Sequence, residues 1–176
     1  MSTGAQLIAA HDLIVRADYG QIYIESSATE DDDGWGDLDP YNAALDDATE
    51  SGRFVGVRPG LIDLLTPGQW NFQTPMRLEI WSAEPADDRD EWDHEVDGDL
   101  DVPDGWISFA ASGGGYPERM EIPSGDYRVR VSGRGFTQVG RAGAEGDDSY
   151  RLRLWPRDRA TAPVLRKRWP GWDVHR

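Results

Sequence analysis

The chain has 176 residues, enough for one domain that buries roughly 70% of its unfolded surface. Its 33 acidic and 18 basic residues give a formal net charge of -15, yet 38% of the residues are hydrophobic and eight are tryptophan, which excludes a disordered acidic chain. The absence of cysteine excludes a disulfide framework and thiolate metal sites.

The first twenty residues lack the pattern of a signal peptide or a transmembrane helix. His11, Asp12 and Arg16 interrupt the apolar stretch, and no basic region precedes it. We therefore expect a cytoplasmic protein.

Short runs rich in β-branched and aromatic residues recur between Gly, Pro and Asp clusters and predict strands. In chain order they are LIVRA (13–17), QIYIES (21–26), RFVGV (53–57), MRLEIWS (76–82), WISFAAS (106–112), RMEI (119–122), YRVRVSG (127–133) and YRLRLW (150–155). In the run at 127–133, Tyr127, Val129 and Val131 alternate with Arg128 and Arg130. This alternation predicts an antiparallel sheet with one buried face and one wet, arginine-lined face.

One helix is predicted in DPYNAALDDATESG (39–52), with Asp39 as N-cap, Pro40 as its first residue and an end near Gly52. The other intervals between strands are mostly too short for crossover helices, which argues against a parallel α/β sheet. We therefore predict an all-β fold, an antiparallel two-sheet β-sandwich with one short inserted helix, as a single domain over residues 1–176.

The stretch IPSGDYRVRV (122–131) resembles the tyrosine corner of Greek-key sandwiches, in which a tyrosine hydroxyl bonds to backbone a few residues upstream. Tyr127 would make this bond with the Ile122–Ser124 region. An ordinary hairpin with Tyr127 in the core is the alternative.

An acidic loop is predicted over 84–105, where EWDHEVDGDLDVPDG (91–105) is the most unusual stretch of the chain. Its acidic residues and glycine match a calcium-binding loop at Asp93, Glu95, Asp97, Gly98, Asp99 and Asp104. The last position is Asp rather than the usual Glu, Pro103 precedes it, and strands rather than helices flank the loop. We expect no metal and no cofactor, with calcium binding as an alternative.

A second acidic loop, EDDDGWGDLDP (30–40), also places a tryptophan among carboxylates. Trp35 here and Trp92 in the later stretch are either exposed anchors for a partner or side chains that fold back onto the sandwich.

The sequence offers little that points to catalysis. His11, His94 and His175 lie in no recognisable nucleophile or metal motif, and SGGGY (112–116) lacks the residues of a phosphate-binding loop. We therefore assign no catalytic residues and expect a protein that is not an enzyme.

The C-terminal tail, residues 157–176, interleaves Arg166, Lys167 and Arg168 with Trp169 and Trp172. Such a pattern can bind single-stranded nucleic acid, but the rest of the chain is too negative for that role. We expect a final strand and tail that close on the acidic body; docking to a partner protein is the alternative.

The segment DGWISFAASGGGYPERMEIPSGDYRVRVS (104–132), together with TPMRLEIW (74–81), resembles the competence protein ComJ family of inhibitors of bacterial DNA-entry nucleases. The resemblance covers about a third of the chain. The resemblance implies an all-β fold and a nuclease partner, and it assigns no catalytic residues to this chain. The acidic insertions and the basic Trp-containing tail depart from the family pattern. The nearly lysine-free, arginine-rich composition is typical of a GC-rich actinobacterium.

These observations together predict a non-enzymatic acidic interaction protein of the inhibitor or immunity type, whose partner is a basic protein such as a nuclease or toxin, and neither nucleic acid nor a membrane. The predicted partner-binding residues are Asp31, Asp32, Asp33, Trp35, Asp37, Trp92, Asp93, Glu95, Asp97, Asp99 and Asp101. A calcium-stabilised carbohydrate-binding sandwich and a structural component of a larger complex are the alternatives.

Overall fold

Two β-sheets pack face to face in the computed structural model, which describes residues 4–29, 39–137 and 145–175. The elements are β1 (Leu7–Ala17), β2 (Gln21–Ser26), α1 (Pro40–Glu50), β3 (Val55–Arg58), β4 (Leu61–Leu65), β5 (Asn71–Trp81), β6 (His94–Val102), β7 (Trp106–Ala111), β8 (Glu118–Glu121), β9 (Gly125–Arg134), β10 (Ser149–Pro156) and β11 (Val164–Lys167). Short 3₁₀ turns occur at Arg89–Glu91 and Pro170–His175. The predicted all-β sandwich with one short helix is confirmed.

The larger sheet has six strands in the order β1-β5-β10-β9-β6-β11, and the smaller has five in the order β3-β4-β2-β7-β8. Neighbouring strands are antiparallel except for β5 and β10, which run parallel. The larger sheet is therefore mixed, and its strand β10 lies between two strands, β5 and β9, that precede it in the chain.

The core fills the space between the sheets with the apolar side chains of the alternating strands. Val129 and Val131 of β9 and Leu152 and Leu154 of β10 are buried there, as their alternation predicts. The Tyr127 hydroxyl donates a 2.6 Å hydrogen bond to the carbonyl oxygen of Pro123, which confirms the tyrosine corner.

Helix α1 covers the outer face of the smaller sheet. The Asp39 carboxylate caps it by accepting hydrogen bonds from the backbone N–H groups of Tyr41 (3.0 Å) and Asn42 (3.3 Å), as predicted. The helix approaches β3 so closely that a Cβ on Gly56 would lie 1.8 Å from the Ala44 carbonyl oxygen. The absence of a side chain on Gly56 allows this packing.

The prediction of a loop over 84–105 is wrong for residues 94–102, which form β6 in the larger sheet. Val96, Leu100 and Val102 point into the core, so the carboxylates between them lie on the outer face. Strand β4 was not predicted either, whereas β11 is the final strand expected in the C-terminal tail.

The arginine-lined face of the larger sheet is not wet, contrary to prediction. Arg128, Arg130 and Arg153 are 8%, 0% and 2% exposed. Residues from Glu84 to Trp92 and the segment that follows β10 lie over this face, which adds a third layer.

The C-terminal tail closes on the body of the protein, as expected. Strand β11 pairs antiparallel with β6, and Trp172 is buried with its ring stacked 4.2 Å from that of Phe54. Within the described ranges, no helix has the length and apolar character needed to cross a bilayer.

Candidate partner-binding surface

The predicted carboxylates of β6 lie opposite the arginines of β9. The strand register places Asp97 beside Arg130 and Asp99 beside Arg128. In an antiparallel sheet, opposite residues on one face lie close enough for their charges to interact directly. The acidic strand therefore has its basic counterpart within the same molecule.

Arg130 is the centre of this network and is fully buried. Its Nε and Nη2 atoms donate to the two Asp97 oxygens at 2.7 and 2.9 Å, and Nη2 also donates to Glu84 at 2.8 Å. Burial disfavours the guanidinium charge, but the hydrogen bonds and charges of Asp97, Glu84 and Glu95 outweigh it and raise the Arg130 pKa. The charged form is thus fixed by its carboxylate partners.

The neighbouring carboxylates are engaged in the same way. Asp99 accepts a 2.8 Å bond from Arg128 and a 2.7 Å bond from the backbone N–H of Thr161. Asp101 pairs with Arg157, and Glu95, which is 0% exposed, accepts a 2.7 Å bond from the Ser132 hydroxyl. Asp93 accepts a 3.0 Å bond from the backbone N–H of Phe136.

Trp92 is buried and is not an exposed anchor. Only 6% of it is accessible, and the guanidinium groups of Arg134 and Arg151 lie 4.9 and 4.4 Å from its ring centroid. Of the two alternatives for this tryptophan, the structure shows the one in which it folds back onto the sandwich.

The calcium alternative requires residues 93–104 to curl around an ion. Instead, residues 94–102 are extended and paired with β9 and β11. Across the described ranges, no group of three or more Asp, Glu or His side chains is arranged to hold a metal ion. The spacing that matches a calcium loop is the two-residue alternation of a strand.

The remaining predicted site residues, Asp31, Asp32, Asp33, Trp35 and Asp37, lie outside the described residues. They lead directly into α1, where Asp46 and Glu50 are exposed. Asp47 is paired with Arg53 at 2.6 Å. Between Glu30 and Glu50 the sequence contains nine carboxylates and no basic residue. The strongest accessible negative charge is therefore expected around α1 and not on β6.

Asp63 of β4 is a buried carboxyl beneath α1. It is 0% exposed, and neither of its oxygens has a hydrogen-bond partner within the described structure. Burial raises its pKa to about 7. A single Asp within the apolar run LIDLL (61–65) is the sequence signal for such a residue.

His94 is a structural residue and has no catalytic partner among the described residues. Its Nδ1 accepts from the Trp169 backbone N–H at 3.2 Å, so its Nε2–H donates to the Arg53 carbonyl at 2.6 Å. Burial lowers its pKa to about 4. The neutral ring joins β6 to the tail and to the segment before β3.

The architecture is that of a small two-sheet sandwich, and comparison with solved structures finds the same class of fold. No protein-family model and no curated protein sequence matches the chain. The fold is similar to that of ComJ from Bacillus subtilis, an inhibitor of the DNA degrading activity of NucA, with a TM-score of 0.52 and 15% identity over 87% of this chain and 98% of ComJ. A second solved structure, crocagin biosynthetic gene J, has a TM-score of 0.49 and 13% identity over 89% of this chain and 100% of its own. These similarities concern the fold.

Proposed function

We propose that the protein is a non-enzymatic inhibitor or immunity-type protein that binds a basic protein, such as a nuclease. The fold likeness to ComJ supports the inhibitor class, since ComJ inhibits the DNA degrading activity of NucA. A surface rich in carboxylates is complementary to the basic cleft with which a nuclease holds the phosphates of DNA.

The observation that carries the proposal is the uneven pairing of charge. The β6 carboxylates are paired with arginines of the same chain, so they exert little electrostatic attraction on a partner. In contrast, Asp46 and Glu50 on α1 are exposed and follow an acidic segment without a single basic residue. In this proposal, α1 and Asp31, Asp32, Asp33, Trp35 and Asp37 form the main binding surface.

This surface would act mainly on the rate of association. Exposed charges attract an oppositely charged protein over about 8 Å at physiological ionic strength, and salt screens that attraction. Charge steering raises the association rate, while desolvated apolar contacts slow dissociation. We therefore expect affinity to fall with salt through slower association.

The test uses purified NucA and the DNA-degrading nucleases encoded in the genome of the source organism. Each is assayed for DNA cleavage at increasing concentrations of the protein, in low and in physiological salt. We expect stoichiometric inhibition of at least one nuclease, and weaker inhibition by the double variant Asp46→Asn, Glu50→Gln. The matched control is Glu118→Gln, Glu121→Gln, which removes two exposed carboxylates from β8.

Two results would contradict the proposal. One is that none of these nucleases is bound or inhibited at any salt concentration. The other is hydrolysis of nucleic acid, ester or glycoside by the protein itself that survives repurification and is lost on substitution of a single His or Asp.

A further inference from the structure

An apolar cleft of about 450 Å³ opens between α1, the turn from β1 to β2 and the C-terminal 3₁₀ turn. Its apolar walls are formed by Leu45, Phe54, Leu65 and Trp172, and Tyr19 lies at its edge. Ligand-binding clefts have volumes of about 300–1,000 Å³. The cleft is large enough to receive one bulky side chain of another protein.

Tyr19 occupies a backbone conformation that favours other residues. It has a φ of 51° and is followed by Gly20 with a φ of 71°, in the two-residue turn that joins β1 to β2. Such a turn prefers Asn or Gly at its first position, because a larger side chain at positive φ is strained. Nevertheless, the chain places a tyrosine there, and 66% of it is exposed.

Phe54, on the opposite side of the cleft, is strained in the same way, with a φ of 56°. Its backbone N–H donates to the Ala48 carbonyl at 2.9 Å, and its carbonyl accepts from the Leu65 N–H at 3.1 Å. These bonds hold the residue between α1 and β4. Within the described ranges, Tyr19 and Phe54 are the non-glycine residues with positive φ, and both line this cleft. Strained residues concentrate at binding sites, where the surrounding structure holds them in place.

The rim of the cleft is acidic on the side of α1. Leu45 and Thr49 line the cleft, and each is followed on the helix by an exposed carboxylate, Asp46 or Glu50. Successive helical residues are about 100° apart, so these carboxylates stand beside the cleft and outside it. On the other side, Arg168 lies 5.5 Å from the Phe54 ring centroid, with its charge paired to Asp173 at 2.7 Å.

We infer that this cleft is the anchor pocket for the basic partner and receives one aromatic or large aliphatic side chain flanked by Arg or Lys. The inference rests on the proposed function. The cleft would provide the desolvated apolar contact that slows dissociation, which exposed charges do not provide. The Tyr19 ring covers the inserted side chain, while Asp46 and Glu50 pair with the flanking cations.

The binding test uses two short peptides that differ at one position. Each has a central residue flanked by arginine and lysine, and that residue is tryptophan in one peptide and alanine in the other. Burial of an aromatic side chain is worth about 1.5–3 kcal/mol, so we expect the tryptophan peptide to bind about tenfold more tightly or better. The dissociation constants are measured by titration calorimetry with the full chain.

Two variants test the location of the binding site. Thr49→Phe fills the cleft from an exposed helix position and should abolish the preference for tryptophan. Tyr19→Asn should reduce that preference and at the same time maintain or raise the midpoint of thermal unfolding, because Asn suits the turn. Tyr116→Asn, at a fully exposed tyrosine in the connection between β7 and β8, should change neither property.

Equal binding of the two peptides, or a tryptophan preference that survives Thr49→Phe, would overturn the inference. Nuclease inhibition that is lost in the Asp46, Glu50 variant but retained in Thr49→Phe and Tyr19→Asn would also overturn it and leave the proposed function intact. Conversely, cleft-dependent peptide binding without inhibition of any nuclease would support the cleft as a binding pocket and refute the proposal that the partner is a nuclease.

Discussion

Replacement of Asp63 by asparagine should change the pH dependence of stability by a predictable amount. The pKa of Asp63 is raised from 3.8 to about 7 by burial in the native state. Between these two values the folded protein keeps a proton that the unfolded chain has lost, so stability falls as pH rises through this window. At about 1.4 kcal/mol per pKa unit, ionisation of Asp63 costs the folded state about 4 kcal/mol above pH 7. The amide side chain of the Asp63→Asn variant has no such proton to lose.

The assay is urea unfolding, monitored by tryptophan fluorescence, at a series of pH values from 4 to 8. The informative quantity is the free energy of unfolding of Asp63→Asn minus that of the native protein. We expect it to rise by about 1.4 kcal/mol per pH unit between about pH 4 and pH 7 and then to become constant. The difference cancels groups common to both proteins, including His94, whose lowered pKa acts in the opposite direction. The neutral His94 ring contributes stability to the folded protein, and this contribution is lost as pH falls from 6.5 towards 4.

Asp46→Asn makes the same chemical change at an exposed position of α1 and serves as the control. Its difference from the native protein should vary little with pH. If the Asp63→Asn difference is equally flat, then Asp63 is not a protonated buried carboxyl, and the reasoning from burial without a partner is wrong.

The other predictions concern the arginine network, the tyrosine corner, the helix contact and calcium. Asp97→Asn leaves the buried Arg130 without its main partner and should lower the free energy of unfolding by about 3–5 kcal/mol in urea denaturation, whereas Arg130→Met with Asp97→Leu should recover most of the loss. Tyr127→Phe removes the bond to Pro123 and should cost about 1 kcal/mol, seen as a fall of about 2–4 °C in the thermal midpoint, while Tyr116→Phe should have no effect. Gly56→Ala should push α1 away from β3 and cost about 1–3 kcal/mol; an unchanged midpoint would contradict the close contact. Calcium at micromolar concentration should not raise the midpoint beyond the effect of magnesium, because β6 is extended; a calcium-specific rise that Asp93→Ala and Asp97→Ala abolish would refute this.

The sequence predicted those elements whose local pattern and tertiary environment agree. Strand β2 was predicted with its observed bounds, since QIYIES alternates and lies between turns. The Asp39 cap and Pro40 predicted the start of α1 for the same reason. The Pro–Ser–Gly turn before Tyr127 was sufficient to predict a hydrogen bond between two residues close in the chain.

The sequence predicts a loop where β6 lies because Asp and Gly are poor strand formers, although residues 95–102 alternate between acidic or glycine and apolar positions as a strand does. The arginines of β9 override the preference by neutralising the acidic face. Their pairing with β6 is set by strand order, which the sequence does not state. The burial of Trp92 and of Asp63 depends on contacts between segments that are distant in the chain, so local sequence patterns could not predict it.

The insertion of β10 between β5 and β9 also constrains when the larger sheet can form. Until residues 149–156 have been synthesised, β5 and β9 each lack a neighbour, and their backbone N–H and C=O groups remain available to other chains. Because β5 must wait for a strand about seventy residues later, folding depends on late contacts between distant segments and should be slow. A nascent chain that stops short of Ser149 lacks both β10 and β11 and would leave one edge each of β5, β9 and β6 unpaired, so residues 149–176 protect the rest of the chain from aggregation during synthesis.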